Sequence, residues 1–320
     1  MLARGRRSPD DSHNHADIFS KKGMRLSIPQ YDPQRLIGRG AFGSVYECVF
    51  RSDGFKVAIK VLNDIKHIKL FKHEVKILLH LQGLPNIIRC FGALHKTDAR
   101  GPAIVLEHFD PRGFQKLAER AEPKEIKFYM RELLIALDAC HSHSIIHRDI
   151  KPQNILIDLQ HRRLRLIDFG LATYYRPVKD YSLSVCTLNF RPPEVVLGYT
   201  KYNFALDLWS FGCILAILIF KQSLFNAYNE EELLLQIVRL LGGTNLVRFA
   251  QKYHIPLTRQ ICDAIKTTER ILLEDYITKR NKKLATLQAL ILIRNLLKYD
   301  HYERPTAKEA LEHKYFCNDH

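Results

Sequence analysis

The 320-residue chain is poor in the features that mark several common protein classes. Its seven cysteines (48, 90, 140, 186, 213, 262 and 317) never form a CxxC pair, which argues for reduced thiols and against a zinc site or a disulfide framework. The longest apolar run, 211–220, has ten residues, about half of the ~20 that a spanning helix needs, and predicts a buried helix with no membrane association. The opening MLARGRRSPD lacks the apolar stretch of a secretory signal, so a location in nucleus, cytoplasm or both is expected instead of export. Acidic residues are scarce: 34 Asp and Glu face 49 Lys and Arg, a net charge of +15 that attracts anions. The cations are dispersed, with local clusters at Lys66, Lys69, Lys72 and Lys76 and at Lys279, Arg280, Lys282 and Lys283. No RNP-like aromatic motif or zinc-finger spacing accompanies them, so a nucleic-acid module is not indicated.

What is present is a globular composition, 46% hydrophobic and 26% charged, with enough apolar residues for a sizeable core. Residues 1–30 are polar and aperiodic and are expected to form a mobile tail; the isolated His13 and His15 pair there more often binds nothing than a metal. From residue 34 to 60 short β-type runs flank a glycine-rich turn, and Gly54 marks a second turn. A basic amphipathic helix is predicted over 66–82, ending near Gly83 and Pro85, then strands over 87–94 and 103–106. Beyond Pro111 the pattern is helical: Pro123 suits a first helical turn, and Ile126, Met130, Leu133, Leu134 and Leu137 share one face. Further helices are expected over 205–220, 229–241, 285–298 and 306–313. Strands first and helices afterwards predict an α+β chain with a small β-rich lobe and a larger α-helical one.

Three motifs carry the chemistry. Ile37 precedes Gly38-Arg39-Gly40-Ala41-Phe42-Gly43-Ser44-Val45, a GxGxxGxV run between two β-like stretches. Glycines let backbone N–H groups approach phosphate oxygens, and the strand after the turn separates this run from a dinucleotide-binding fingerprint, where a helix follows. Val57-Ala58-Ile59-Lys60 ends a strand on a lysine suited to the α- and β-phosphates of ATP, and Glu74 on the basic helix is its candidate ion-pair partner. The third motif decides the reading: His147-Arg148-Asp149-Ile150-Lys151-Pro152-Gln153-Asn154 fits HRDxxxxN, and Asp168-Phe169-Gly170 follows. Phosphoryl transfer needs a carboxylate to orient the substrate hydroxyl and take its proton, the role expected of Asp149. Asn154 and Asp168 offer hard oxygen ligands for Mg²⁺, and Lys151 a cation for the moving phosphate.

With these motifs in this order the chain resembles a eukaryotic protein kinase over residues 31–316, with an N-lobe of about 31–108 and a C-lobe of about 111–316. Pro192-Pro193-Glu194 stands where the family closes its activation segment, Asp207-Leu208-Trp209-Ser210-Phe211-Gly212 where a helix braces the catalytic loop, and Arg304 where an arginine pairs with that glutamate. The lysine two residues after Asp149 favours serine and threonine over tyrosine. Residues 83–88 (GLPNII), 161–171 (HRRLRLIDFGL), 174–181 (YYRPVKDY), 252–257 (KYHIPL) and 297–316 (LKYDHYERPTAKEALEHKYF) resemble the casein kinase II catalytic subunit. That resemblance implies a two-lobed fold, ATP with Mg²⁺, acidic protein substrates, a casein kinase II regulatory (beta) subunit as a partner, and activity without an activating kinase. The chain also departs from that pattern, with Phe169 for a tryptophan, Gly43 for a serine, and Ser184 and Leu188 for two arginines that receive acidic substrates. Residues 187–194 (TLNFRPPE) resemble cyclin-dependent kinases almost as well, which keeps a proline-directed kinase as the alternative. A pseudokinase scaffold would be favoured by loss of Lys60, Asp149, Asn154 or Asp168, and all four are present.

Overall fold

The computed structural model describes residues 30–40, 43–94, 102–120 and 122–317; His13, His15 and nearly all of the tail, and Ala41 and Phe42 of the glycine run, lie outside the described residues. The chain divides into two compact units, Met1–Phe71 with Cys90–His108, and Lys72–Arg89 with Phe109–His320.

The first unit is built on an antiparallel sheet in the order β1-β2-β3-β5-β4, from β1 (Tyr31–Arg39), β2 (Gly43–Phe50), β3 (Lys56–Leu62), β4 (Cys90–Leu94) and β5 (Ala103–Glu107). Alternation along β3 explains its core: Val57, Ile59 and Val61 face Cys48, Leu94, Ala103 and Val105, while Ala58 and Lys60 point to the other side. Val45 pairs with Lys60 across the β2–β3 ladder, so strand register alone brings the glycine run alongside the lysine. Helix α1 (Ile68–His80) is shorter than the predicted 66–82 because Asp64 accepts from Lys66 N and caps a preceding 3₁₀ turn over Ile65–His67. From Lys72 onward it belongs to the second unit.

The second unit contains α2 (Gly113–Arg120), α3 (Pro123–Ser142), α4 (Pro193–Val196), α5 (Ala205–Phe220), α6 (Glu230–Leu241), α7 (Gly243–Lys252), α8 (Arg259–Thr267), α9 (Leu287–Leu296) and α10 (Ala307–Leu311). Two small antiparallel ladders, β6 (Ile145–Ile146) with β9 (Thr173–Tyr174) and β7 (Ile155–Asp158) with β8 (Arg163–Leu166), hold the loops between them. Pro123 sits in the first turn of α3, where its missing N–H costs nothing, and Ile126, Met130, Leu133, Leu134 and Leu137 are all buried. Helix α5 is buried along nearly its whole length and packs on α9, which explains its apolar run. Two glycines permit close approach: a Cβ at Gly113 would fall 1.7 Å from the Ile157 carbonyl oxygen, and one at Gly212 2.9 Å from Leu296 Cβ. The strand expected over 87–94 begins only at Cys90, because Ile88 N donates to Leu166 O, and Leu166 N to Asn86 O, joining that stretch to β8. No single helix among the described residues is long and apolar enough to cross a membrane.

Candidate active site

In the first unit the glycines of the run stand at the end of β1 and the start of β2, where Gly40 N donates to Gly43 O at 2.9 Å. A Cβ at Gly43 would lie 2.6 Å from Val61 O and 3.5 Å from Lys60 Cγ, so only glycine lets the loop rest this closely on the lysine strand. Ile37, Gly38, Arg39 and Gly40 fall at the end of β1 and in the turn, and Ser44 and Val45 begin β2. Ser44 Oγ donates to Asn63 Oδ1 at 2.9 Å, a partner that no sequence pattern announces.

In the second unit the loop 147–154 places its acidic residue by a chain of backbone contacts. The Asp207 carboxylate, fully buried at the start of α5, accepts from His147 N, from Arg148 N and from His141 Nε2, each at 2.9 Å. Burial works against this charge, but the His141 hydrogen bond and the neighbouring donors hold its carboxyl below the usual carboxylate range. His147 Nδ1 accepts from Asp149 N at 3.2 Å, so its Nε2 carries the hydrogen that meets Ile167 O at 3.0 Å. The His147 ring packs edge-on against buried Phe169, 4.8 Å between centroids. Arg148 adopts φ 67° and Asp168 φ 64°, left-handed conformations that non-glycine residues keep only where surrounding contacts impose them.

Asp149 is 6% exposed and shares its two oxygens among three neighbours. Oδ1 accepts from Thr187 N at 3.0 Å and Thr187 Oγ1 at 2.8 Å. Oδ2 meets Lys151 Nζ at 2.7 Å and Asn154 Nδ2 at 3.2 Å, while the same Asn154 amide donates to Asp149 O at 2.8 Å. Lys151 Nζ completes the ring by donating to Thr187 Oγ1 at 2.9 Å. Because Asn154 Nδ2 is directed at Asp149, its amide oxygen is left as an acceptor, and with the Asp168 carboxylate it supplies hard donors suited to Mg²⁺. Asp168 Oδ1 and Glu74 Oε2 flank Gly170, at 3.5 and 3.7 Å from where its Cβ would be. Thus Asp149, Lys151 and Asn154 come together, Glu74 and Asp168 meet at Gly170, and Lys60 lies beside the glycine turn of the first unit. Among the described residues no group of three or more His, Cys, Asp or Glu could hold a metal ion.

A sequence model described as the protein kinase domain matches residues 31–316. The chain belongs to the protein kinase family. It is therefore a phosphotransferase of the two-lobed α+β kinase fold, with ATP as co-substrate and proteins as substrates.

The segment that follows Asp168 in this kinase contains contacts that sequence reasoning did not foresee. Thr187, to which no motif gives a role, donates its hydroxyl to Asp149 Oδ1 at 2.8 Å. Arg148 donates to Leu171 O at 2.6 Å and to the Tyr202 hydroxyl at 3.1 Å, and that hydroxyl donates to Ser182 O at 2.7 Å. Arg191 donates to Val185 O at 3.0 Å and Cys186 O at 2.9 Å, and its third contact is an ion pair with Glu230 of α6. Its charge is therefore already satisfied within the chain. One pair that the family resemblance did imply is also present: Glu194 and Arg304 form a fully buried bidentate pair at 2.8 and 2.6 Å.

Proposed function

We propose that this kinase transfers the γ-phosphate of ATP to serine and threonine hydroxyls of proteins, in the manner of the casein kinase II catalytic subunit that it resembles. The observation that carries the proposal is the ring around Asp149: a buried carboxylate fixed by Thr187 and Asn154, with the Lys151 ammonium 2.7 Å away. Asp149 orients the substrate hydroxyl and takes its proton as that oxygen bonds to the γ-phosphorus and the bond from phosphorus to the ADP oxygen breaks. Lys151 stabilises the charge developing on the moving phosphoryl group. The backbone around Gly38, Gly40 and Gly43 covers the phosphates, and Lys60, whose expected ion-pair partner is Glu74, holds them. Asn154 and Asp168 are the residues that would hold Mg²⁺, whose charge offsets that of the phosphates.

For the sequence around the target, exposed Lys69 and Lys72 of α1, neither with an ion pair among the described residues, support a preference for acidic residues two or three positions beyond it. At the position just beyond the target a different observation favours a second reading. Cys186 has φ 59°, and its carbonyl is taken by Arg191. A substrate residue seeking that acceptor finds it spent, whereas proline has no N–H to satisfy. Proline-directed specificity is thus the reading that competes for that one position.

The test is a peptide array comparing Ser-Asp-Asp-Glu with Ser-Pro at fixed flanks and two salt concentrations, with Asp149→Asn as the blank. Acid preference that weakens with salt and with Lys69→Glu/Lys72→Glu supports the casein kinase II-like reading. Salt-insensitive preference for Ser-Pro refutes it. Near wild-type turnover by Asp149→Asn would overturn the assignment of Asp149 itself.

A further inference from the structure

A cavity of about 520 Å³ lies in the second unit, between α7, the stretch around Arg270 to Glu274, and the end of α9. None of its lining residues belongs to the ring around Asp149. The volume falls within the range of small-molecule sites, roughly 300–1,000 Å³.

The wall charges do not cancel. Each acid facing the cavity already has a cation: Asp300 is paired with Lys252, Glu274 with Arg294, and Glu303 with Lys298 at 3.8 Å. Asp300 is further engaged by the Tyr253 hydroxyl at 2.6 Å. Arg248, on α7, and Arg270, on the facing stretch, line the same cavity and have no ion pair among the described residues. Both are exposed, so the excess positive charge is open to an incoming ligand. With every acid of the lining engaged elsewhere, these two cations leave the cavity with an excess of positive charge that favours an anion.

Tyr299 also lines the cavity, with its hydroxyl buried behind the wall and out of reach of solvent. Asn245 adds an amide on the α7 wall, directed in part to Leu241 O at 2.8 Å. Two guanidinium forks and an amide, with Leu240 and Leu273 also in the lining, make an apolar cup with an anion-binding rim.

We propose that this cavity binds a compact ligand carrying two phosphate groups, one on Arg248 and one on Arg270. A single inorganic ion would leave most of the volume empty, so the ligand extends beyond its phosphates. Two sources share this chemistry: a free diphosphate compound, and a peptide bearing two adjacent phosphoserines.

The experiment uses the full chain with its nucleotide site saturated by Mg²⁺ and a non-hydrolysable ATP analogue, so that phosphates cannot report on that site. Binding of pyrophosphate, of a doubly phosphorylated serine peptide and of the same peptide unphosphorylated is followed by calorimetry and by the shift in Tm. At least one phosphate probe should bind and raise Tm, with affinity falling as salt rises. Arg248→Ala and Arg270→Ala should each weaken it about tenfold, equivalent to about 1.4 kcal/mol, while kinase activity on a short peptide stays unchanged. Pyrophosphate binding alone identifies a small diphosphate as the source, and phosphopeptide binding alone identifies a phosphorylated protein segment. No binding of either probe at about 1 mM, or equal affinity in wild type and the Arg248→Ala/Arg270→Ala double variant, overturns the proposal.

Discussion

Replacing Arg304 by methionine should destabilise the kinase more than almost any other single change outside its apolar core. Arg304 and Glu194 are both 0% exposed in side chain. The guanidinium donates to both Glu194 oxygens, to Ala205 O at 3.1 Å, to Lys298 O at 2.8 Å and to Tyr299 O at 3.3 Å. It also lies 5.0 Å from the centroid of buried Trp209. Methionine keeps much of the volume but leaves a buried carboxylate with no counter-charge and three carbonyls short of a donor. Removal of one partner of a buried ion pair costs about 3–5 kcal/mol, and the orphaned carbonyls place this case at the upper end. At roughly 2–4 °C per kcal/mol for a chain of this size class, Tm should fall by about 10 °C or more. Urea denaturation monitored by Trp209 fluorescence gives the free energy directly, and turnover should fall in parallel, because Glu194 ends the segment that carries Thr187. The second limb uses Glu194→Gln in the Arg304→Met background: a neutral amide is cheaper to bury than a lone carboxylate, so the double variant should recover part of the loss. A loss under about 1 kcal/mol in Arg304→Met, or a double variant less stable than the single one, would refute the reasoning.

Other outcomes follow from the same contacts. Thr187→Val removes the hydroxyl shared by Asp149 and Lys151; with charged hydrogen bonds worth about 1.5–3 kcal/mol, kcat should drop about 10- to 100-fold with the KM for ATP little changed. Because Asp207 titrates below the usual carboxylate range in the folded chain, the stability it confers is fully present above about pH 4 and lost as pH falls toward its folded value; Asp207→Asn should flatten that acid limb in pH-dependent unfolding. Burial pushes the Cys48 thiol up to about 12 and raises Cys140 and Cys186 as well, so Ellman's reagent at neutral pH should find exposed Cys317 first and half-buried Cys262 next, with the other five reacting only after denaturant.

Local chemistry was legible in the sequence and long-range chemistry was not, for a physical reason. The glycine turn, the α5 run and the first turn of α3 each depend on neighbours within a few positions, where residue type and period decide geometry. The partner of Asp149, by contrast, is Thr187, 38 residues away, and the partner of Arg191 is Glu230, 39 residues away. No periodicity links such residues; only the path of the segment between Asp168 and Glu194 brings them together. Arg304 and Glu194, 110 residues apart, were paired only through resemblance to a family that places them so. The same limit bears on specificity. A net charge of +15 invites the inference that every cation of the segment before Glu194, Arg191 included, is available to a substrate. Folded, Arg191 spends its donors on Val185 O, Cys186 O and Glu230. A cation held by two carbonyls and a carboxylate can receive an acidic substrate only by giving up bonds it already has. The acidic recognition proposed above must therefore rest on cations that the fold leaves unpaired, such as Lys69 and Lys72, and each exposed contact there is worth only about 0.2–1 kcal/mol. Discrimination among substrates then depends on several weak contacts engaged at once, so added salt should erode it faster than it slows the chemical step at Asp149.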